Sequence, residues 1–242
     1  MRIPTAERLV SAWEAGADLP PTGRALELLA AGEPEQPRPA LASLPIGERD
    51  RRLLQMRRQL LGPILEATVP CASCGTRVEF EIEVASLLLP ASDAPEWNAF
   101  EVEGASWRLR LPTSSDLLAV SNAPAWSPEC ALLQRCVTRA ESGEPVRPES
   151  DGVSAIRDAA CAMIAALDPQ ADIQLAVACP SCEQAWLADF DIVSFFWAEL
   201  TTWVRRLLLD VHRLASAYGW RQDEILAMST QRRAAYLEMI GA

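Results

Sequence analysis

The chain has 242 residues, half of them hydrophobic, and a formal net charge of −11; all 22 basic residues are arginine. This length and composition predict a globular protein with a sizeable core, built as one domain with an insertion or as two small domains. The negative charge argues against a protein that binds a nucleic-acid backbone, because affinity for phosphate comes mainly from cationic side chains.

The sequence carries no sign of export or membrane insertion. Its N-terminal residues lack the apolar core of a secretory signal, and no stretch reaches the roughly 18 uninterrupted apolar residues of a membrane span. Seven cysteines then indicate a reducing compartment, so we expect a cytoplasmic protein. Three of them fall in helix-like apolar patterns and are predicted to be buried free thiols: Cys130, Cys136 and Cys161.

Helices are predicted for most of the first 62 residues. Two short ones span about 5–15 and 22–31, an exposed linker covers 32–39, and a third helix follows Leu44 and ends at Leu61. This third helix carries a basic side, which is either a solvated face, the interpretation we favour, or a contact for an acidic partner. The arginines of that side are Arg49, Arg51, Arg52, Arg57 and Arg58.

Two cysteine pairs organise the middle of the chain: Cys71 with Cys74, and Cys179 with Cys182. Each pair lies between two strand-like segments, so each is predicted at the tip of a β-hairpin. Two thiolates three residues apart can bind one metal ion from the same turn, and a second such turn completes a closed tetrahedral shell. The sequence therefore predicts a zinc ribbon with a structural zinc and no open position for catalysis.

The separation of the two pairs leaves other interpretations open. Residues 75–178 lie between them, whereas a compact ribbon separates its pairs by about 15–20 residues. The ribbon therefore requires a subdomain inserted between its hairpins. The alternatives are two unrelated thiol pairs, a redox pair, or a site that has lost its metal.

The inserted segment is predicted to contain strands and helices. Alternating residues indicate strands at 99–103 and 107–111. A helix begins after Pro112 and runs to about Val120, and Ser127 caps another that continues through Val137. A third helix is predicted over 153–167.

The last third of the chain is almost entirely helical by its pattern. From Asp191 the apolar residues step by three or four, which predicts one helix of about six turns; they are Phe196, Leu200, Trp203, Leu207, Val211, Leu214 and Tyr218. Further apolar residues lie off this stripe, so the helix is either the central core helix or one that also docks a partner protein. The candidate partner-binding residues are Phe195, Trp197, Trp203, Tyr218 and Trp220. Gly219 ends the helix, and two short helices follow.

These elements give an α+β chain that is mostly helical. Its predicted parts are an N-terminal helical region at 1–62, a split zinc ribbon at 63–84 and 172–190, an inserted α/β subdomain at 85–171, and a C-terminal helical region at 191–242. His212 is the only histidine and is predicted to be structural. The sequence has neither a glycine-rich phosphate loop nor an HExxH motif, so we do not expect an enzyme.

Several segments resemble a family of baseplate hub proteins found in T4-like contractile phages and in related bacterial contractile injection systems. The resemblance covers about residues 44–240. It is carried by the two cysteine pairs and by segments 44–50, 111–116, 195–200, 212–215, 218–220, 224–226 and 232–237. One departure is Glu183, which stands where such a turn commonly has glycine.

The resemblance implies a non-enzymatic baseplate component or assembly chaperone, either cytoplasmic or part of the assembled particle, that binds hub or spike proteins. Two other classes remain open from the residues alone. A zinc-ribbon protein of the transcription machinery would show salt-dependent binding to DNA or RNA. A thiol-disulfide enzyme would need an exposed thiolate of low pKa.

Overall fold

The computed structural model describes residues 3–93, 95–121, 128–147 and 152–241. Its helices are α1 (Ala6–Gly16), α2 (Pro21–Gly32), α3 (Arg38–Ala42), α4 (Ile46–Leu61), α5 (Val84–Leu87), α6 (Ser114–Ser121), α7 (Pro128–Cys136), α8 (Val153–Leu167), α9 (Ile192–Tyr218), α10 (Gln222–Leu226) and α11 (Thr230–Met239). Its strands are β1 (Ile64–Pro70), β2 (Arg77–Glu83), β3 (Asn98–Val102), β4 (Ala105–Leu109), β5 (Val137–Arg139), β6 (Ile173–Ala178) and β7 (Ala185–Phe190). The predicted mixture of helix and small sheets is confirmed.

The chain forms two compact units. Unit 1 comprises Met1–Gln36 and Val193–Ala242, and unit 2 comprises Pro37–Ile192. Unit 1 is helical in its described part, whereas unit 2 contains all the strands named above. The finer four-part division drawn from the sequence stays a prediction.

The long helix α9 supplies much of the core of unit 1. Its buried stripe consists of Phe196, Leu200, Val204, Leu207, Val211 and Leu214, each at most 7% exposed. The sequence pattern placed Trp203 in this stripe, and that was wrong: Trp203 is half-buried and Val204 takes the position. The step from Leu200 to Val204 is four residues, which keeps the stripe on one side of a 3.6-residue helix.

A close contact joins α1 to α9 within unit 1. Gly16 faces the ring of Trp197 so closely that a β-carbon at Gly16 would overlap the indole. The guanidinium of Arg24 lies 5.0 Å from the centre of the same ring, a cation–π arrangement. Trp197 is 8% exposed, so its ring is used for packing inside this unit.

The described part of unit 2 contains three small antiparallel sheets. β1 pairs with β2, and β6 pairs with β7, which gives the two predicted hairpins. The third sheet has the order β3-β4-β5. The strand β5 was not predicted, and the helical prediction for Val137 is wrong, since α7 ends at Cys136. Val137 and Thr138 are β-branched, and their pairing with Leu109 and Arg108 of β4 explains the strand.

Hydrogen bonds in unit 2 join the exit of the first hairpin to the entry of the second. Gln170 lies just before β6, where its side-chain nitrogen donates to Leu87 O at 3.1 Å and its oxygen accepts from Leu89 N–H at 2.8 Å. Leu87 and Leu89 lie just after β2. The polar side chain of Gln170 is therefore buried with its hydrogen bonds made, and it brings together chain segments more than 80 residues apart.

The start of α4 is fixed by a residue that is distant in sequence. Asp168 accepts a hydrogen bond of 2.8 Å from the backbone N–H of Gly47, one of the amides that a helix leaves without an internal partner. A β-carbon at Gly47 would overlap the carboxylate, so glycine is needed for this approach. Burial raises the pKa of Asp168, although the hydrogen bond from Gly47 opposes the shift.

The predicted basic side of α4 is only partly a solvated face. Arg49 and Arg57 are 6% and 3% exposed, so neither interpretation from the sequence holds for them. Arg49 pairs with Asp50 at 2.7 Å. Arg57 donates to Gly62 O and Ile64 O at 2.9 and 2.7 Å, which holds the turn that leads into β1. The residues of the predicted linker, by contrast, are exposed from Pro34 to Pro39.

Candidate metal centre

The first cysteine pair lies in a tight turn at the tip of the β1-β2 hairpin. Cys71 N–H donates to Thr76 O at 2.8 Å, and Gly75 N–H donates to Cys71 O at 2.8 Å. Gly75 has a φ of 75°, a left-handed conformation that glycine adopts without steric cost. The turn ends in β2 and holds both sulfur atoms on one side.

The second pair repeats this turn at the tip of the β6-β7 hairpin. Cys179 N–H donates to Gln184 O at 2.9 Å, and Glu183 N–H donates to Cys179 O at 2.9 Å. Glu183 has a φ of 60°, although a residue with a β-carbon pays about 1–2 kcal/mol for a left-handed conformation. The departure from glycine therefore leaves the turn geometry unchanged.

The two turns bring four sulfur atoms together. The Sγ atoms of Cys71, Cys74, Cys179 and Cys182 all lie within 4.8 Å of one another. Two separations run between the hairpins: Cys71 to Cys182 is 3.7 Å and Cys74 to Cys179 is 3.6 Å. A regular tetrahedron with zinc–sulfur bonds of about 2.3 Å has sulfur atoms about 3.8 Å apart, so the four residues fit a tetrahedral thiolate shell.

Burial is uneven within this cysteine cluster. Cys71 and Cys179, the first residue of each pair, are both 2% exposed. They pack with Val78 and Val177 in a small apolar core between the hairpins. Cys74 and Cys182 are exposed. The cluster thus has an apolar base and one side open to solvent, which is a route for a metal ion to enter.

The pKa values show that the cluster favours a negative charge but resists several. A hydrogen bond with Thr76, whose Oγ1 lies 3.3 Å from Cys74 Sγ, helps to lower the pKa of the Cys74 thiol to about 6. The backbone at Gln184 acts in the same direction on Cys182, but the adjacent Cys74, Cys71 and Cys179 and burial outweigh it and raise the pKa of Cys182 to about 11. A cation between the sulfur atoms would remove this repulsion.

A second polar centre in unit 2 was not found from the sequence. Asp116 is 1% exposed and accepts from three side chains: Arg110 at 2.6 and 2.8 Å, Arg135 at 2.8 Å, and the Thr113 hydroxyl at 2.7 Å. Burial acts to raise the pKa of Asp116, but the hydrogen bonds and charge of Arg110 and the hydrogen bonds from Thr113 prevail and hold this pKa far below its usual range. No local sequence pattern predicts this centre, because Arg110 and Arg135 reach Asp116 from other parts of the chain.

The five candidate partner-binding aromatics differ in exposure. Trp197 is buried within unit 1, Phe195, Trp203 and Trp220 are half-buried, and Tyr218 is 38% exposed. Tyr218 and Trp220 stack with ring centres 4.4 Å apart, and Tyr236 meets both rings edge-on. Gly219, with a φ of 69°, makes the bend that allows the stack. A role in partner binding stays a prediction for these residues.

Among the residues that the structure describes, the remaining cysteines and the histidine form no cluster that could hold a metal ion. Cys136 is 2% exposed, as predicted, and burial raises its pKa to about 12. The predicted burial of Cys161 is wrong, since it lies on an exposed part of α8. His212 is exposed on α9.

In the described part of the chain, no helix is long and apolar enough to cross a membrane.

Comparison with known proteins gives one match. The sequence model of the family described as T4 bacteriophage base plate protein matches residues 29–197, which is more than half of the chain and includes all four clustered cysteines. Neither the curated proteins nor the solved structures contain a match.

Proposed function

Because the chain belongs to the family of T4 bacteriophage base plate proteins, we propose that it is a non-enzymatic component or assembly chaperone of a baseplate hub, in a phage-tail-like contractile injection system. It acts by binding other baseplate proteins, with hub or spike proteins as the expected partners. We expect the chain to be in the cytoplasm during assembly. An assembly chaperone would then leave the particle, whereas a baseplate component would remain in it.

The observation that carries the proposal is the cysteine cluster within the family match. Cysteines 105 and 111 residues apart in sequence lie 3.6 and 3.7 Å apart in space. A shell of four thiolates leaves a zinc ion no position for water or substrate, so it supports a structural role for the site.

The metal assigned to the cluster is zinc, held by Cys71, Cys74, Cys179 and Cys182. Zinc would supply positive charge and four bonds to sulfur. The chain supplies the rest: two turns of equal geometry, an apolar base under Cys71 and Cys179, and backbone amides that orient each turn. Because such a site does not exist in the unfolded chain, its binding free energy stabilises the fold.

The second part of the proposal concerns unit 1. The ring stack of Tyr218, Trp220 and Tyr236 presents a rigid aromatic surface that is partly open to solvent. Aromatic residues of this kind are enriched at the centres of protein–protein interfaces. We therefore assign the hub contact to Tyr218 and Trp220, together with the half-buried Phe195 and Trp203 of α9. The fifth candidate, Trp197, packs inside unit 1 against Gly16 and Arg24.

Co-expression tests the function directly. The chain is produced with the hub and spike proteins encoded beside it, and complexes are isolated through a tag on one partner. We expect a stable complex with at least one of them, weakened by Tyr218→Ala/Trp220→Ala and unaffected by His212→Ala, an exposed change on the same helix. If the chain is present in purified particles, it is a baseplate component. If it is absent from them, it is an assembly chaperone. Failure to bind any baseplate protein would contradict the proposal.

A further inference from the structure

A groove of about 610 Å³ lies between the two hairpins of unit 2. One wall is formed by residues 78–82 of β2, and the other by residues 174–178 of β6. Ser86, Leu87 and Pro180 complete the lining. The groove is thus bounded on two sides by strands whose hairpins the cysteine cluster joins at their tips.

Both strands present a free edge to this groove. Among the described residues, β2 pairs only with β1, and β6 pairs only with β7. An edge strand leaves backbone N–H and C=O groups unpaired on alternate residues. Natural edges are usually protected by charge, proline or a bulge. β6 reads Ile-Gln-Leu-Ala-Val-Ala and has no charged residue or proline. β2 carries exposed glutamates, which disfavour an uncharged or acidic strand but not a strand with cationic side chains. The groove is therefore suited to an additional strand.

The charge beside the groove is negative and is not neutralised by the described residues. Glu79 and Glu81 of β2 are exposed, on the face opposite the buried side of the hairpin. Glu66 lies directly across the strand pair from Glu81, and like charges in this position destabilise a sheet. None of these three carboxylates forms an ion pair with a described residue. A cationic side chain on an added strand would relieve the repulsion.

We propose that this groove binds an extended segment of a partner protein that pairs with the free edge of β2 and alternates basic with apolar residues. In this register the basic residues lie beside Glu79 and Glu81. The apolar residues lie beside Phe80 and Ile82, which face the apolar side of the hairpin.

The spacing of the wall residues fits this occupant. Side chains two residues apart on a strand share a face and lie about 6.6–6.8 Å apart, so arginine or lysine at every second position matches the two glutamates. On the opposite wall, Ala176 and Ala178 are small and exposed, which leaves room for a strand. This site is separate from the aromatic surface of unit 1, so it goes beyond the proposed hub contact and does not depend on it.

The test uses the full chain loaded with zinc and a labelled seven-residue peptide, the length of β2, in which arginine and valine alternate. Fluorescence anisotropy measures its affinity. Two further peptides probe register and backbone pairing. The first has the same composition with its arginines adjacent, and in the second the outward backbone amides are N-methylated. We expect both changes to weaken binding at least about tenfold, since strand addition depends on main-chain hydrogen bonds and on alternation.

Charge reversal provides the matched variant. Glu79→Arg/Glu81→Arg is expected to weaken the arginine-valine peptide at least about tenfold and to favour a glutamate-valine peptide instead. The change also places an arginine opposite Glu66, which replaces a like-charge pair with an opposite-charge pair. We therefore expect the fold to be retained. The control is Glu101→Arg/Glu141→Arg, which alters the net charge equally at exposed positions elsewhere in unit 2.

Three results would overturn the inference. The first is no binding of the arginine-valine peptide to the zinc-loaded chain. The second is equal loss in the groove variant and its control, which would indicate general charge attraction. The third is a homodimer that Ala176→Arg dissociates, which would assign the groove to a second copy of the chain. Because the assay contains no hub or spike protein, its failure leaves the proposed hub function standing.

Discussion

The two polar centres of unit 2 handle charge in opposite ways. Around Asp116, one buried carboxylate is neutralised by two arginines and a hydroxyl of the same chain. In the cysteine cluster, four groups that ionise to the same sign approach within 4.8 Å, and the neighbouring sulfurs help to raise the pKa of Cys182 to about 11. The first centre is neutralised by side chains of the same chain, whereas the second has four sulfur atoms placed so that they could hold a metal ion.

The largest effect is expected from removal of a thiolate. Cys71→Ser or Cys179→Ser should abolish stoichiometric zinc binding and lower the Tm by about 10 °C or more, because metal-binding free energy is also folding free energy and about 1 kcal/mol corresponds to 2–4 °C in a chain of this size. Plasma mass spectrometry and calorimetry measure the two quantities.

The matched control for this pair is Cys161→Ser, an exposed cysteine outside the cluster. It should change neither the zinc content nor the Tm. Unchanged metal content in both Cys71→Ser and Cys179→Ser would refute the shared site. Loss of zinc in only one of them would indicate that the hairpins bind metal separately.

A smaller loss should follow from Asp116→Asn. This change leaves Arg110 and Arg135 without their anion. We expect a destabilisation of about 2–3 kcal/mol, below the range of about 3–5 kcal/mol for fully buried pairs, because the arginines are partly solvated. Denaturant titrations of the metal-loaded protein measure this destabilisation, and plasma mass spectrometry should find the zinc content at the wild-type level. Asp158→Asn, in the exposed pair with Arg157, should have no measurable effect; equal effects of the two changes would contradict the account.

Acid should separate the two centres. Metal binding by thiolates competes with protons, so zinc is released as the pH falls below neutrality. The pKa of Asp116 is held far below its ordinary value of 3.8 in the folded chain. Its stabilisation is therefore fully present above about pH 4 and is lost as the pH falls further towards its folded pKa. Unfolding measured against pH should show zinc release first, and the step at lower pH should be absent from Asp116→Asn.

The smallest effects concern the left-handed residue that ends each turn. Glu183→Gly should stabilise the protein by about 0.5–1 kcal/mol, because glycine adopts this conformation without strain. Gly75→Ala should destabilise it by about 1 kcal/mol through the backbone alone, since no atom lies within 4 Å of the added β-carbon. Thermal unfolding measures the change in stability caused by each substitution. If both substitutions stabilise the protein, or both destabilise it, the two turns are not equivalent.

The sequence predicted the features that depend on short-range pattern. The two CxxC turns, their flanking strands and the helix α9 follow from spacing and periodicity over a few residues, and the structure contains all of them. That the two turns meet could be inferred only from their shared chemistry. The contacts through Gln170 that close the intervening chain have no local signature.

Features that depend on tertiary partners were missed or misread. Arg49 and Arg57 look like surface residues in a helical pattern, and their burial becomes apparent only when Asp50 and the carbonyl groups near β1 are placed beside them. Asp116 lies at the start of a predicted helix, and nothing in the local pattern indicates that Arg110 and Arg135 approach it from other elements. The strand β5 forms because β4 supplies its hydrogen-bonding partner, against the helical pattern that precedes it.

X-ray absorption at the zinc edge reports the ligands of the metal in the proposed four-cysteine site. For the purified full chain with one equivalent of zinc, we expect a single shell of four sulfur atoms at about 2.3 Å. A shell that contains nitrogen or oxygen, one with only two sulfur atoms, or no retained zinc would contradict the shared four-cysteine site and the role assigned to the two hairpins.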